Sequence, residues 1–287
     1  MSSPSVRPNP DGAEALPPEF EWLSGMELSV PVLPTVAHRV IELATDPDVA
    51  LSTIASLVSK DQVIAARVLG LANSAYSSPL QMISTVPEAV VRLGTTAVRN
   101  VVLTVCLTSR MQDPSVDRTR GKELLDHSIG AAYLARMIAE RARVNADEAF
   151  LCGLLHDIGK LVILKQAHGY QKRTRRAIDP AIVELAVLER HAAVGAQTLR
   201  HWKLPGALDE PVLYHHDYLA APEHRRPAAV AYAANLLAHR FGFGCPAIEL
   251  DVLRDPVSDE LGLTAEWVEE VAARAPGLVE VAGQILS

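Results

Sequence analysis

The chain has 287 residues, of which 49% are hydrophobic and 21% are charged, so its composition is that of a folded globular protein and excludes a disordered or collagen-like chain. Lysine and arginine total 27 against 34 aspartate and glutamate, and the net charge of −7 argues against nonspecific nucleic-acid binding. The best apolar run, 101–108, is far shorter than the roughly 20 residues of a membrane helix, and no secretory signal is visible. The three cysteines form no close pair, so we expect a cytoplasmic protein without disulfides or thiolate metal sites.

The first part of the chain is predicted to be helical after a short tail. Residues 1–16 are rich in proline and show no periodicity, which predicts a disordered tail. Apolar residues then recur at helical spacing in five segments: 36–43, 54–58, 63–72, 85–94 and 96–111. Valine is abundant in 101–105, so a strand is an alternative there, but the helical spacing on both sides favours a helix.

The polar segment 113–121 is the predicted boundary between two lobes. Helical patterns follow at 122–143, 146–164, 180–201, 206–218 and 227–241, and a last pair, 264–274 and 277–286, is separated by Pro276-Gly277. Strand and helix patterns do not alternate, so the sequence predicts an all-α protein. We expect a helical-bundle lobe (17–112) packed on a second helical lobe (113–245), followed by short C-terminal helices (246–287).

The segment 153–162 carries the strongest chemical signal. Its leucine, isoleucine and valine residues fall at helical spacing and form one apolar face. His156, Asp157 and Lys160 are spaced to share the opposite face. Two metal-ligating residue types and a cation are therefore predicted to project from one side of a helix whose other side is core.

Other histidines can complete a metal site with this pair. Additional ligand candidates on other predicted helices are Glu123, His127, His191, His215 and His216. Imidazole and carboxylate together suit zinc, manganese, iron or nickel. The alternative is that these are ordinary surface or core histidines, and that interpretation is favoured outright for His38, His168, His201, His224 and His239.

The sequence resembles the HDOD family, a branch of the HD-domain superfamily, from about Leu33 onward, with an HDOD domain expected at about 30–240. Several short motifs in the right order carry the resemblance. In the first lobe they are Leu33-Pro34, Asp61, Arg67-Val68-Leu69, Ala72-Asn73-Ser74-Ala75-Tyr76, Ile83-Ser84-Thr85-Val86 and Leu93-Gly94. In the second they are His127-Ser128, Ala149-Phe150, 153–160, Glu189, His191, Val194-Gly195-Ala196, Trp202, Leu204-Pro205 and His215-His216.

The resemblance implies an all-helical, bacterial signal-transduction module. The related HD-GYP phosphodiesterases use a set of site residues that matches this chain, in order, at Glu123, His127, His156, Asp157, Lys160, His191, His215 and His216; the metal ligands it implies are His127, His156, Asp157, His191, His215 and His216, with Glu123 and Asn235 as further candidates. The last aspartate of that set is replaced by Asn235, and the Gly-Tyr-Pro motif is absent after His216. We therefore expect no appreciable hydrolysis of cyclic dinucleotides.

The leading functional interpretation is a regulator without catalysis that binds signalling proteins through its first lobe. Within that lobe, an exposed Arg67 or Tyr76 would mark the partner surface. The alternative is a metal-dependent phosphohydrolase in which Asp157 and Lys160 are catalytic; a sensor of a nucleotide second messenger is a third interpretation. We expect no nucleic-acid partner and no membrane insertion, and the basic run Lys172, Arg173, Arg175 and Arg176 is interpreted as a solvated surface.

Overall fold

The computed structural model describes residues 18–23, 34–44, 46, 48–73, 82–111, 113, 115–204 and 206–286, with the side chains of 276 and 278–286 left out. The predicted disordered tail and Tyr76 lie outside these residues. Within them no strand is found, which confirms the all-α prediction, and residues 101–105 are helical. The α-helices are α1 (Thr35–Leu43), α2 (Leu51–Val58), α3 (Gln62–Ala72), α4 (Val86–Met111), α5 (Arg118–Ala142), α6 (Ala146–Leu155), α7 (Ile158–Thr174), α8 (Pro180–His201), α9 (Asp209–Leu213), α10 (Arg225–Arg240), α11 (Val257–Leu261) and α12 (Ala265–Leu286).

The described residues divide into two compact units. The small unit comprises Val32–Arg110 and Gly277–Ser287, and the large unit comprises Met1–Pro31 and Met111–Pro276. These bounds differ from the predicted lobes because the 3-10 helix Pro18–Leu23 buries Phe20 and its neighbours among apolar side chains of α7 and α8. Most of the segment predicted as a C-terminal extension also belongs to the large unit.

The small unit is held together by an apolar core between α1, α2, α3 and α4. Asp61 caps α3 by accepting hydrogen bonds from the backbone of Val63 and Ile64. At its other end, the Asn73 side chain donates to Ile83 O and accepts from Ile83 N, both at 2.8 Å. Asn73 therefore has a structural role, in agreement with a helix-ending turn.

Helix α4 is the one described helix long and apolar enough to cross a membrane. It is interrupted at Gly94, whose φ of 77° is outside the helical region. The interruption lies where the sequence predicted one helix, 85–94, to end and the next, 96–111, to follow. Val98, Val101, Val102 and other side chains of its second half are buried in the core of the small unit. Burial of this kind is typical of the core helix of a globular protein.

The large unit is a helical bundle in which α5 packs on α6 and α10, and α7 packs on α8. Glycines allow the closest approaches. A Cβ atom at Gly153 would overlap the backbone of α5 at Ala131, and one at Gly159 would overlap the His191 carbonyl oxygen on α8. These contacts set the distances between the helices that carry the histidines.

Two predicted helices end earlier than expected, one at His156-Asp157 and the other just before His215-His216. The predicted helix 146–164 is broken: α6 ends at Leu155, His156 and Asp157 form a turn, and α7 starts at Ile158. The predicted helix 206–218 ends at Leu213, before His215 and His216. In both places an imidazole donates to a carbonyl oxygen three residues back, and this bond competes with continuation of the helix.

The two C-terminal helices predicted at 264–274 and 277–286 form one helix, α12. Proline in a helix removes one backbone hydrogen bond and bends the helix, and Pro276 does not end this one. The pattern of apolar residues on both sides was therefore correct, and the separation was wrong.

Replacing Gly159 by alanine is expected to destabilise the protein by about 1–3 kcal/mol, because the added methyl group overlaps the α8 backbone. The control is Gly169→Ala on the same helix, where an added Cβ meets nothing within 4 Å. That control should be neutral or stabilising by up to about 1 kcal/mol, since alanine is the better helix former. Urea unfolding of both variants measures the difference, and equal stabilities would contradict this packing argument.

Candidate functional site

Three helices and two turns of the large unit bring the predicted ligand residues together. His127 lies on α5, His191 lies on α8 and Asn235 lies on α10. The turns after α6 and α9 supply His156, Asp157, His215 and His216. Apart from His216, which is exposed, all of these side chains are buried.

The Asp157 carboxylate lies at the centre of the histidines. One oxygen, Oδ2, is 3.4 Å from His156 Nε2 and 3.7 Å from His127 Nε2. The other, Oδ1, is 3.4 Å from His191 Nε2 and 3.8 Å from His215 Nε2. The carboxylate thus faces two groups of imidazoles, one with each oxygen, and we call the whole arrangement the Asp157 cluster.

Hydrogen bonds to backbone carbonyls orient the buried rings. In His156, His191 and His215 Nδ1 faces a carbonyl oxygen, which can only accept, so Nδ1 carries the proton, whereas both ring nitrogens of His127 face such an oxygen. The pairs are His156 with Gly153 O (2.8 Å), His191 with Val187 O (2.7 Å), His215 with Val212 O (2.6 Å) and His127 with Phe243 O (3.2 Å). In a neutral ring with this proton, Nε2 keeps a lone pair that points into the cluster, the arrangement that metal-ligating histidines adopt.

The histidine rings are held in the neutral form. Burial lowers the pKa of His127 to about 3 and that of His191 to about 4. Burial also lowers the pKa of His215 well below its usual range. The rings therefore offer lone pairs rather than protons at neutral pH.

The Nε2 atoms of the cluster lie close to one another. Nε2 of His127 is 3.2 Å from Nε2 of His156, and Nε2 of His191 is 3.2 Å and 3.0 Å from those of His215 and His216. Ligand atoms around a tetrahedral ion with bonds of about 2.0–2.1 Å are separated by roughly 3.3 Å, so the observed spacing fits a shared cation.

The two oxygens of Asp157 have different surroundings. Lys160 Nζ donates to Oδ2 at 2.6 Å, whereas the buried Oδ1 accepts no hydrogen bond from the described part of the chain. Burial alone would raise the pKa of Asp157, but His156 and Lys160 outweigh it and hold this pKa well below its usual range. An ionised, buried oxygen without a donor calls for a cation, so the residues present fit a divalent metal.

The remaining predicted ligands differ in their placement. Asn235 Oδ1 is 3.1 Å from His127 Nε2, within the cluster. Glu123 is exposed one turn before His127 on α5, and none of the groups of close ligand atoms among the described residues includes it. The prediction that His156, Asp157 and Lys160 share the helix face opposite the core is wrong. His156 and Asp157 lie in a turn, and within 153–162 only Lys160 is partly exposed.

Two residues near the cluster were not singled out by sequence reasoning. The ring of His239, interpreted as an ordinary histidine, lies 4.6 Å from that of His127, centroid to centroid. His239 Nδ1 is in turn 3.3 Å from Cys245 Sγ. No local motif announces either residue, because Cys245 comes from the irregular segment after α10 and reaches the site only through the fold.

The fold and the site define an all-α protein with a buried histidine and aspartate cluster. The HDOD domain model matches residues 30–218, and the chain belongs to the HDOD family. The matched range begins at residue 30, where the HDOD domain was expected to begin. It ends before α10, the helix that contributes Asn235 to the Asp157 cluster.

Comparison with known proteins gives relatives of modest identity. An uncharacterized protein of Treponema pallidum is 27% identical over 214 residues, which cover 71% of this chain and 41% of the relative. Ribonuclease Y of Petrotoga mobilis is 25% identical over 264 residues, covering 90% of this chain and 45% of the relative. The chain thus spans less than half the length of these curated relatives. Among solved structures, an HDOD domain protein of unknown function from Geobacter sulfurreducens has a TM-score of 0.72 at 25% identity, covering 93% and 96% of the two chains.

The metal-free protein is expected to lose stability as the pH falls from about 6.5 to about 4. In this range unfolded histidines take up protons, whereas buried His191, with a native pKa of about 4, does not. The free energy of unfolding has its full value above pH 6.5. The loss on acidification to about pH 4 is on the order of 3 kcal/mol for His191 alone, at 1.36 kcal/mol per pKa unit. Urea unfolding of chelator-treated protein at several pH values measures this slope, and His191→Leu should reduce it. A stability that is constant over this range would contradict the neutral buried cluster.

Proposed function

We propose that this HDOD protein is a metal-dependent phosphohydrolase that acts in bacterial signalling. The observation that carries the proposal is the convergence of four imidazole Nε2 atoms on the two oxygens of a buried, ionised carboxylate. Burying an ionised carboxylate costs free energy when no cation is bound, and a cation held by the carboxylate and the imidazoles offsets that cost. The proposal reverses the preference of the sequence analysis, which favoured regulation without catalysis.

The cluster offers two groups of ligands that share Asp157. His127 and His156 lie on the side of Oδ2, and His191, His215 and His216 lie on the side of Oδ1. Several imidazoles with one carboxylate favour a transition metal such as iron, manganese, zinc or nickel over magnesium. Bound there, a metal supplies a Lewis acid that lowers the pKa of water and offsets phosphate charge.

The side chains of this protein would bind and orient the substrate. Lys160 is 24% exposed and pairs with Asp157, so its ammonium group lies at the border between the cluster and solvent. From there it is placed to hold a phosphate oxygen of a bound ester. His216 is exposed, which makes the cluster accessible from outside. The rest of the site is buried, which keeps bulk water from the charged groups.

The substrate we propose is the phosphate ester of a small molecule. The relatives named Ribonuclease Y support phosphate-ester hydrolysis as a class of reaction. The net charge of −7 argues against a polynucleotide substrate and against a nucleic-acid partner. Asn235 and the missing Gly-Tyr-Pro motif argue against cyclic dinucleotides, whose turnover at ordinary enzyme rates would count against this substrate assignment.

The test is hydrolysis of p-nitrophenyl phosphate mono- and diesters by metal-free protein reloaded with manganese or iron. Asp157→Asn is expected to abolish turnover, and Lys160→Met is expected to lower kcat by about 10²–10³, the effect of losing one charge-stabilising donor. Lys165→Met is the matched control on α7, because Lys165 pairs with Asp113 and is not in the cluster. Turnover that is unaffected by Asp157→Asn, or absent with every metal, would contradict the proposal.

A second candidate function is regulation by binding a signalling protein in the cytoplasm. The specific observation is that the small unit, which carries no residue of the Asp157 cluster, exposes large apolar side chains: Val63 is 58% exposed, Met82 is 79% exposed and Val91 is 66% exposed. The three free cysteines support a reducing compartment. The acidic chain favours a partner with a basic patch, through an association that salt weakens.

The test of this second candidate is a pull-down from native cytoplasm with the full-length chain. Val91→Asp in the small unit is expected to abolish recovery of the partner, because the introduced charge must be desolvated on binding. Leu188→Asp is the matched control, since Leu188 is 73% exposed in the large unit. Loss of the partner with Leu188→Asp alone would assign the binding surface to the large unit instead.

A further inference from the structure

A cysteine and a histidine that the Asp157 cluster does not use lie beside His127. His239 Nδ1 is 3.3 Å from Cys245 Sγ, and the His239 ring lies 4.6 Å from that of His127. One ligand atom from each of these three residues falls within 4.8 Å of the other two. A thiol and two imidazoles at such distances form a separate group of potential metal ligands.

The segment that carries Cys245 is fixed against α5. Gly242 and Gly244 have φ values of 73° and 68°, which favour glycine. A Cβ atom at Gly244 would overlap Glu123 O and lie 2.8 Å from His127 N, so only glycine allows this approach.

The residue between these glycines adds two further anchors. Phe243 N donates to Ala238 O at 3.0 Å, and Phe243 O faces His127 Nδ1 at 3.2 Å. The Phe243 ring is buried and fills the space beside Gly130, where a Cβ atom would overlap it. The position of Cys245 beside His127 is thus set by the backbone rather than by a flexible side chain.

We propose that Cys245, His239 and His127 form a second metal site, which takes Zn²⁺. A thiolate with imidazoles is a ligand set that favours zinc. With bonds of about 2.3 Å to sulfur and 2.0–2.1 Å to nitrogen, tetrahedral zinc places these atoms about 3.5 Å apart. The observed separation of 3.3 Å between Cys245 Sγ and His239 Nδ1 is close to that value. Three protein ligands leave the fourth position to water.

This second site does not depend on the proposed hydrolase activity. It shares only His127 with the Asp157 cluster, and because a neutral imidazole has a single lone pair, occupancy of one site lowers the affinity of the other. The sequence predicted no thiolate site because the cysteines form no spaced pair, and the single cysteine used here gains its partners from α5 and α10.

The experiment is a titration of reduced, metal-free, full-length protein with Co²⁺, followed by its sulfur-to-cobalt charge-transfer absorption in the near ultraviolet. The band is expected in the wild type and in Asp157→Asn, and it should disappear when Zn²⁺ is added. It should be lost in Cys245→Ala and Cys245→Ser but kept in Cys152→Ala, the matched control for a buried thiol of the same unit. His239→Ala should weaken Zn²⁺ binding more than the roughly 10- to 100-fold caused by loss of an outer-shell partner.

Three results would overturn the proposal. They are a wild type without the band, a band that persists in both Cys245 variants, and a band that disappears in Asp157→Asn. The first would mean that Cys245 is only hydrogen-bonded to His239, and the third would place the thiol in the Asp157 cluster. Circular dichroism of each variant verifies its fold. Failure of phosphohydrolase activity leaves the band unaffected, so the two proposals fail separately.

Discussion

A buried carboxylate that lacks a full set of donors is the constraint on which the site depends. The Asp157 carboxylate is buried away from water, and Lys160 donates a hydrogen bond to Oδ2 only. The other oxygen, Oδ1, faces imidazole nitrogens and accepts no hydrogen bond from the described residues. Neither neutral rings nor the protein interior can compensate the charge on that oxygen, whereas a bound cation would. The packing of α5, α6, α7 and α8 through glycines at their contacts serves to hold these groups at ligand distance.

The local chain fixes most of the ring orientations before any helix packs on another. His156 and His215 each donate to the carbonyl three residues earlier, and His191 donates to the carbonyl four residues earlier. These bonds select the tautomer from sequence spacing alone. His127 is different, since its Nδ1 partner, Phe243 O, is 116 residues away. The orientation of this one ring therefore depends on the tertiary structure.

This difference explains what could be predicted from the sequence. The helices and the order of His127, His156, Asp157, His191 and His215 were predictable because residue type and spacing carry that information. The turn at His156 was missed because an apolar pattern continues through it, and side-chain bonds to the backbone rather than hydrophobicity end α6. His239 was missed because the packing of α10 on α5 brings it to His127, and Cys245 was missed because two glycines with positive φ, and not a motif, bring it there.

The dependence of His127 on the segment after α10 joins the two parts of the site physically. Phe243 orients the ring through its carbonyl, and Cys245 lies two residues further along the same backbone. A shift of the backbone at Cys245 therefore reaches the Asp157 cluster through Phe243 and its contact with His127. His127 is the ring whose Nδ1 partner is not a neighbour in the sequence. Because the other buried rings are fixed within their own turns or helices, His127 is the ligand through which binding near Cys245 can alter the cluster without unfolding it.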